Sequence, residues 1–340
     1  MFRKIEIVVA ALMLMVVRPY AGAQETLADT GYSPYSLFGF GDMVKTGSAY
    51  NLSMGGIGIG DRNVRYLNFI NPAAVTAREM RSFMMDFGLE NRNTIYQGNA
   101  STSLGTSASG DMTSASNTFN MHHIVASLPI GGNAAFKIGM MPYSTISYSF
   151  QSEETSDSML ASVGDISYSK VGRGGVYQAV VGAGVTLWNH LSLGADLDYY
   201  FGSLSRYSGA SFITSSSHRT ITTGWDYNIS CFGGKFGLQY SQRLSGMMGA
   251  VIGATYQIPS KLRGGEKRYS YGTTSSRTDT ITNVSIPLSG YSIPGEIGAG
   301  LTLRYADRWM VGFDYTRQDW TGVAFEGRSE ERRVGKECRS

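Results

Sequence analysis

Period-two alternation dominates this chain from about residue 81 onward. In the clearest run, Leu191, Leu193, Ala195, Leu197, Tyr199 and Phe201 share one face, while Ser192, Gly194, Asp196, Asp198 and Tyr200 share the other. Successive strand residues point to opposite faces, so the run predicts a strand with one apolar and one polar surface. The pattern recurs at Tyr177–Leu187, Ile297–Tyr305 and Val311–Tyr315. It predicts nine strands, at 81–97, 117–129, 133–151, 174–188, 190–206, 222–242, 247–258, 295–305 and 309–325.

The connections alternate in length. Ser-, Thr- and Gly-rich stretches at 98–116, 152–173, 207–221 and 259–294 alternate with short turns at 130–132, 189, 243–246 and 306–308. A sandwich with Greek-key crossings has no cause to keep that parity. A transmembrane antiparallel β-barrel does: long extracellular loops alternate with short periplasmic turns, and the polar face lines the lumen. Trp188, Tyr199, Tyr240, Tyr256, Trp309 and Trp320 fall near strand ends, as interfacial aromatic girdles do. The expected fold class is therefore an all-β transmembrane barrel in a bacterial outer membrane.

Both ends differ from the middle. Arg3 and Lys4, the apolar run Ile7–Val17 and the small-residue site Ala21-Gly22-Ala23 read as a signal peptide over 1–23. Residues 328–340 carry eight charges without alternation, and the string resembles a translated sequencing adapter. The expected organisation is thus signal peptide 1–23, an N-terminal plug segment 24–80, an incomplete barrel 81–327 and a non-native tail 328–340. The formal charge of +3 comes from 29 basic and 26 acidic residues. Setting aside the eight basic and four acidic residues of the two ends leaves a nearly neutral chain. No nucleic-acid partner is implied. With Cys338 in the tail, Cys231 stands alone and no intrachain disulfide is expected.

Little in the sequence points to catalysis. His122, His123, His190 and His218 fit neither a nucleophile-elbow nor a metal-helix spacing. The adjacent pair His122-His123 should face opposite ways on a strand, which argues against a shared ion. No metal, cofactor or catalytic residue is expected. The Gly cluster at 53–61 lacks a following Lys-Ser/Thr, so it is a weak phosphate loop. Charges on the lumen face form a more informative set: Lys137, Asp196, Asp198, Lys235, Glu296, Arg304 and Asp314. They should pair with one another and hold the plug, or bind the polar head of an amphipathic ligand. For a carboxylate head, Lys137, Lys235 and Arg304 are the candidate partners.

Residues 24–80 do not alternate. They hold Ser53-Met54-Gly55-Gly56 and Asn71-Pro72-Ala73-Ala74, the latter read as an N-cap at Asn71 with Pro72 opening a short helix to Met80. Further on come Pro294-Gly295-Glu296, Asp314-Tyr315 and Asp319-Trp320. In these motifs the chain resembles the outer-membrane FadL/TodX family of long-chain fatty acid and hydrocarbon transporters, in the form common in Bacteroidetes. The resemblance implies a barrel of about 14 strands, of which this chain holds only part. Its lumen would be plugged by a hatch carrying Met54, Gly55, Gly56, Asn71, Pro72 and Ala73. It implies passive transport of hydrophobic or amphipathic small molecules by a monomer in the bilayer. The alternative is a FadL-like accessory of type IX secretion that binds exported proteins at the cell surface. In the resembled family a kink in the third strand opens a lateral gap. Pro142, which removes a ladder donor from the third predicted strand, is expected to mark either an ordinary bulge or such a gap.

Overall fold

The structure is a computed structural model. It describes residues 33–78, 82–100, 110–153, 166–212, 219–274, 277–288, 291–306 and 308–320. The signal segment and the charged tail lie outside these residues.

In chain order the strands are β1 (Asp42–Met43), β2 (Met84–Ala100), β3 (Gly110–Ile130), β4 (Ala134–Glu153), β5 (Ile166–Leu187), β6 (Leu191–Phe212) and β7 (Thr220–Arg243). Then come β8 (Met248–Gln257), β9 (Ser260–Lys261), β10 (Arg263–Thr273), β11 (Thr278–Pro287), β12 (Ser292–Ile293), β13 (Glu296–Tyr305) and β14 (Trp309–Gln318). One short helix, α1 (Ala49–Ser53), and 3-10 turns at Pro34–Leu37 and Pro72–Thr76 lie in the N-terminal segment. The wall runs β14-β13-β8-β7-β6-β5-β4-β3-β2, antiparallel throughout. It curls into a half-barrel. β2 and β14 are its edges among the described residues.

All nine predicted strands are present, and most run further at their outer ends. β5 starts at Ile166 and β6 ends at Phe212, joined by an unbroken ladder. These extensions are rich in Ser, Gly and Tyr, so backbone pairing holds them where alternation fades. The larger difference lies in 259–294, expected as a loop. It folds as the hairpin β10–β11, and β10 takes over the upper half of β7 (Arg263↔Ser230 to Thr273↔Thr220). Below that, β7 pairs with β8 (Lys235↔Gln257 to Arg243↔Gly249). The chain leaves the wall after β8, and β9 and β12 pair inside the lumen.

The alternating faces have distinct surroundings. Leu197, Phe232, Phe236, Ile252, Ile297 and Phe313 are all at least half exposed and form an outward apolar band. That is the surface lipid covers. On the lumen face, Phe40, Ile146, Tyr148, Val176, Tyr200, Leu204, Ile229 and Cys231 are buried together with Leu262, Leu288 and Ile293. The upper lumen is thus an apolar, aromatic chamber that these side chains fill by packing on one another.

The hatch sits below this chamber on a shelf of small residues. Cross-strand partners Gly184, Gly194 and Gly237 line up on β5, β6 and β7. A Cβ on Gly194 would lie 2.5 Å from the Ala73 amide nitrogen and the Pro72 carbonyl oxygen. A Cβ on Gly237 would stand 2.7 Å from Pro72 Cδ and overlap the Asn71 amide oxygen. Only glycine admits the hatch backbone this close. We expect Gly194→Val to lower unfolding stability by roughly 1–3 kcal/mol, the cost of overpacking. The heat-induced gel-mobility shift measures this, with Gly249→Ala, whose Cβ meets nothing within 4 Å, expected to match the parent.

Candidate functional site

The hatch is built around two asparagines and an arginine. Asn71 caps the Pro72–Thr76 turn, accepting from the Ala73 amide at 3.0 Å. That turn ends at Thr76 rather than Met80 and is 3-10 rather than α. The Asn71 side chain also donates to Ile59 O at 2.8 Å and Leu238 O at 3.2 Å. Asn68 donates to Gly58 O and Asp61 O at 2.6 and 2.8 Å. Arg62 reaches Thr76 and Thr186 hydroxyls at 2.9 and 3.1 Å, and Gln239 at 3.3 Å. Burial lowers the Arg62 guanidinium to about 10, so it stays charged near neutral pH. Of the six hatch-motif residues, Asn71, Pro72 and Ala73 seat directly on the wall. Met54, Gly55 and Gly56 form the turn ending α1, with both glycines at positive φ and Lys45 Nζ bonded to Gly55 O at 2.5 Å.

The wall answers with its own groups. Asp314 on β14 accepts from the Gly58 and Ile59 amides at 2.7 and 2.8 Å. Gln239 on β7 donates to Ile59 O and Asp61 O at 3.0 and 3.1 Å. Arg304 on β13 pairs with the buried Asp61 carboxylate at 3.3 Å. Burial raises the Asp61 carboxyl above its ordinary range, and Arg304 opposes the rise. Gln239 and Asp61 were not singled out from the sequence. The latter ends the Gly-rich motif, and its place opposite Arg304 is a contact across 243 residues.

Just above the hatch runs a row of polar residues. Register places Lys137, Gly182, Asp196, Lys235, Gln257, Glu296 and Gln318 side by side on consecutive strands. Lys137 is fully buried and meets Asp196 at 2.8 Å, while Lys235 meets Glu296 at 3.5 Å. All three candidate cations, Lys137, Lys235 and Arg304, therefore face a carboxylate of the chain itself. Asp198, one step above this row, is buried at 1% exposure.

The wall opens on one side. β3 and β4 pair only from Ile124↔Met140 to Ile130↔Ala134. Above Met140, β4 keeps β5 as its neighbour, with a bulge between Pro142 and Ser144. Pro142 thus sits where the β3 ladder ends. The N-terminal segment fills the free edge. β1 pairs Asp42↔Thr145 and Met43↔Ser144, Val44 N donates to Tyr143 O at 2.9 Å, and Ser33 N donates to Ser147 O at 2.8 Å.

Across the gap, β3 carries its own bulge, a register shift between Gly88 and Leu89 that leaves His122 extra. This corrects the expectation that His122 and His123 face opposite ways. The bulge breaks the alternation, and the two Nδ1 atoms lie 2.8 Å apart, both rings buried. His123 Nε2 is 3.4 Å from Asp86. Among the described residues no three His, Cys, Asp or Glu form a metal-ligating group. His218 lies outside the described residues. At the periplasmic mouth, a cavity of about 670 Å³ is lined by Asp61, Arg62, His190, Arg243 and Arg304.

An apolar-banded antiparallel wall with an N-terminal hatch seated in its lumen defines an outer-membrane β-barrel of the FadL/TodX architecture. The chain belongs to the BamG family, whose model matches residues 1–333. Among solved structures it is similar to the Pseudomonas putida toluene transporter TodX, at 17% identity and a TM-score of 0.50. That match covers 75% of this chain and 66% of the TodX chain, so the chain spans just under two thirds of that relative's length. A Pseudomonas aeruginosa FadL homologue matches at 11% identity and a TM-score of 0.33, covering 82% of this chain and 90% of that one. No curated protein matches the chain.

The buried Lys137–Asp196 pair is testable by double substitution. Lys137→Met leaves Asp196 buried without its cation and should cost about 3–5 kcal/mol in urea unfolding. Adding Asp196→Leu should recover most of that loss, because an apolar pair replaces the ion pair.

Proposed function

We propose that this chain forms an outer-membrane passage for hydrophobic or amphipathic small molecules. The observation that carries this reading is the unpaired edge of β4 above Met140, closed by the N-terminal segment rather than by β3. Directly behind that edge lies the apolar chamber, where Ile146 and Tyr148 of β4 pack with Phe40 of the N-terminal segment. A compound in the chamber is one strand away from lipid.

The route is sideways. The hatch below is held by charge-assisted bonds that its Gly58 and Ile59 amides donate to Asp314 and by the Asp61–Arg304 pair. The segment over the gap is held mainly by backbone bonds to one strand edge. Release of residues 33–44 from β4 would connect chamber and bilayer without moving the hatch. Passage of this kind is passive and needs no nucleotide. In this reading Pro142 ends the β3 ladder and defines the lower rim of the opening.

A reversible lock tests the route. In the full-length protein, where Cys231 is buried, Asp42→Cys and Thr145→Cys place thiols on directly paired residues. Oxidation should abolish uptake of a fluorescent long-chain fatty acid by cells carrying the protein, and reductant should restore it. Uptake that persists with the disulfide formed counts against lateral passage.

A further inference from the structure

The charge balance of the lumen row points to a ligand class different from a carboxylate. Two ammonium groups, Lys137 and Lys235, face three carboxylates, Asp196, Asp198 and Glu296. Asp196 takes Lys137 at 2.8 Å. Glu296 takes Lys235 at 3.5 Å and the Gln318 amide at 2.6 Å. Asp198 is left over. It is 1% exposed, and neither of its carboxylate oxygens has a hydrogen bond of good geometry. Gln178 on β5 is a neutral side-chain donor beside it, and Lys137 and Lys235 act on it only through space. A buried carboxylate without a counter-charge is costly in a low-dielectric interior.

The neighbours of Asp198 favour a cation that carries an apolar tail. Its cross-strand partners are Val180 and Gly233, and the Tyr200 ring and Ser260 Oγ occupy the space a side chain at Gly233 would take. One step up the same face is Tyr200, also 1% exposed, whose hydroxyl has no partner. The Tyr143 ring meets the Tyr200 ring at 5.0 Å, edge to face. Aromatic faces attract ammonium groups, and a phenol oxygen accepts from them. Above Tyr200 the apolar chamber begins with Val176, Ile229 and Cys231.

We propose that Asp198 and Tyr200 form a head-group site for a protonated amine whose alkyl or aryl tail occupies the chamber. The site selects amphipathic ammonium compounds over carboxylates, because every cation in the row already faces a carboxylate of the protein. This proposal rests on the passage reading and specifies its cargo.

Isothermal titration of the full-length protein in a nonionic detergent at neutral pH tests it with three probes of equal tail length: dodecylammonium, dodecanol and dodecanoate. Dodecylammonium should bind at least about tenfold more tightly than dodecanoate, the scale of one charge-assisted contact. Asp198→Asn should erase that preference, and Asp198→Glu should keep it. Equal binding of the three probes, a preference for dodecanoate, or an unchanged preference in Asp198→Asn overturns the amine site while leaving the passage reading intact. Binding of none of the three overturns both.

Discussion

A strand edge facing hydrocarbon must have its amides and carbonyls paired, and the architecture of this chain follows from that requirement. β4 loses β3 as a partner above Met140. The two strands bulge at nearby points, β3 at His122 and β4 at Tyr143, and bulges bend a strand and sharpen its twist. The N-terminal segment then supplies what β3 withholds, through β1 and the amides of Ser33 and Val44. Gly41 lets it lie flat on β4, at a positive φ where a Cβ would overlap Thr145 O. Arg206 of β6 holds the Gly39 carbonyl from inside the lumen. The same segment is therefore both plug and substitute wall strand.

The second constraint is the burial of charge. A lumen packed with a hatch has little water to screen ions, so lumen charges must find partners in the protein. Three pairs do so: Lys137 with Asp196 and Lys235 with Glu296 in one row, and Arg304 with Asp61 of the hatch. Arg304 binds the hatch, while Lys137 and Lys235 bind the wall to itself. Asp314 has no cation in this set and is used instead by two hatch amides.

Much of this was legible in the sequence, and the limits are physical. Alternation gave all nine wall strands because one face meets lipid and the other meets the lumen, so Leu197 and Asp198 must differ. It faded where both faces are wet, which hid the outer ends of β5 and β6 and the whole β10–β11 hairpin. Tyr269, Tyr271 and the Thr-rich stretch 278–282 carried strand propensity there, but no apolar stripe marked it. Alternation also misplaced His122, since a bulge adds one residue without any change in composition. Asn71-Pro72 announced a capped turn, and its cap is as expected. What that turn rests on could not be read locally. Gly194 and Gly237 look like weak strand residues until Pro72 is seen lying on them. The role of the lysines depended equally on distant partners.

The hatch and the edge strap differ in how firmly each is fixed, and this difference separates the parts of the N-terminal segment that can move from those that cannot. From Ile57 to Thr76, release would strip the Asp314 carboxylate of two amides, leave Asn71 and Gln239 without acceptors and expose Asp61 to the loss of Arg304. Each charged partner lost this way costs about 1.5–3 kcal/mol, and the losses come together because the groups share one backbone. From Ser33 to Val44, the bonds to β4 are neutral backbone bonds at a sheet edge, worth roughly 0.5–1.5 kcal/mol each, beside the burial of Phe40 and the Arg206 bond to Gly39 O. Lys45, bonded to Gly55 O, and α1, whose Ser48 cap accepts from Asn51 N, mark the junction between the two. A hinge there allows the strap to leave β4 while the hatch stays seated. The free edge it exposes is short, four to five residues of β4 around the Tyr143 bulge, where pairing was already irregular. Opening at this place breaks fewer bonds than parting any two of β5, β6, β7, β8 and β13, each of which is paired on both sides.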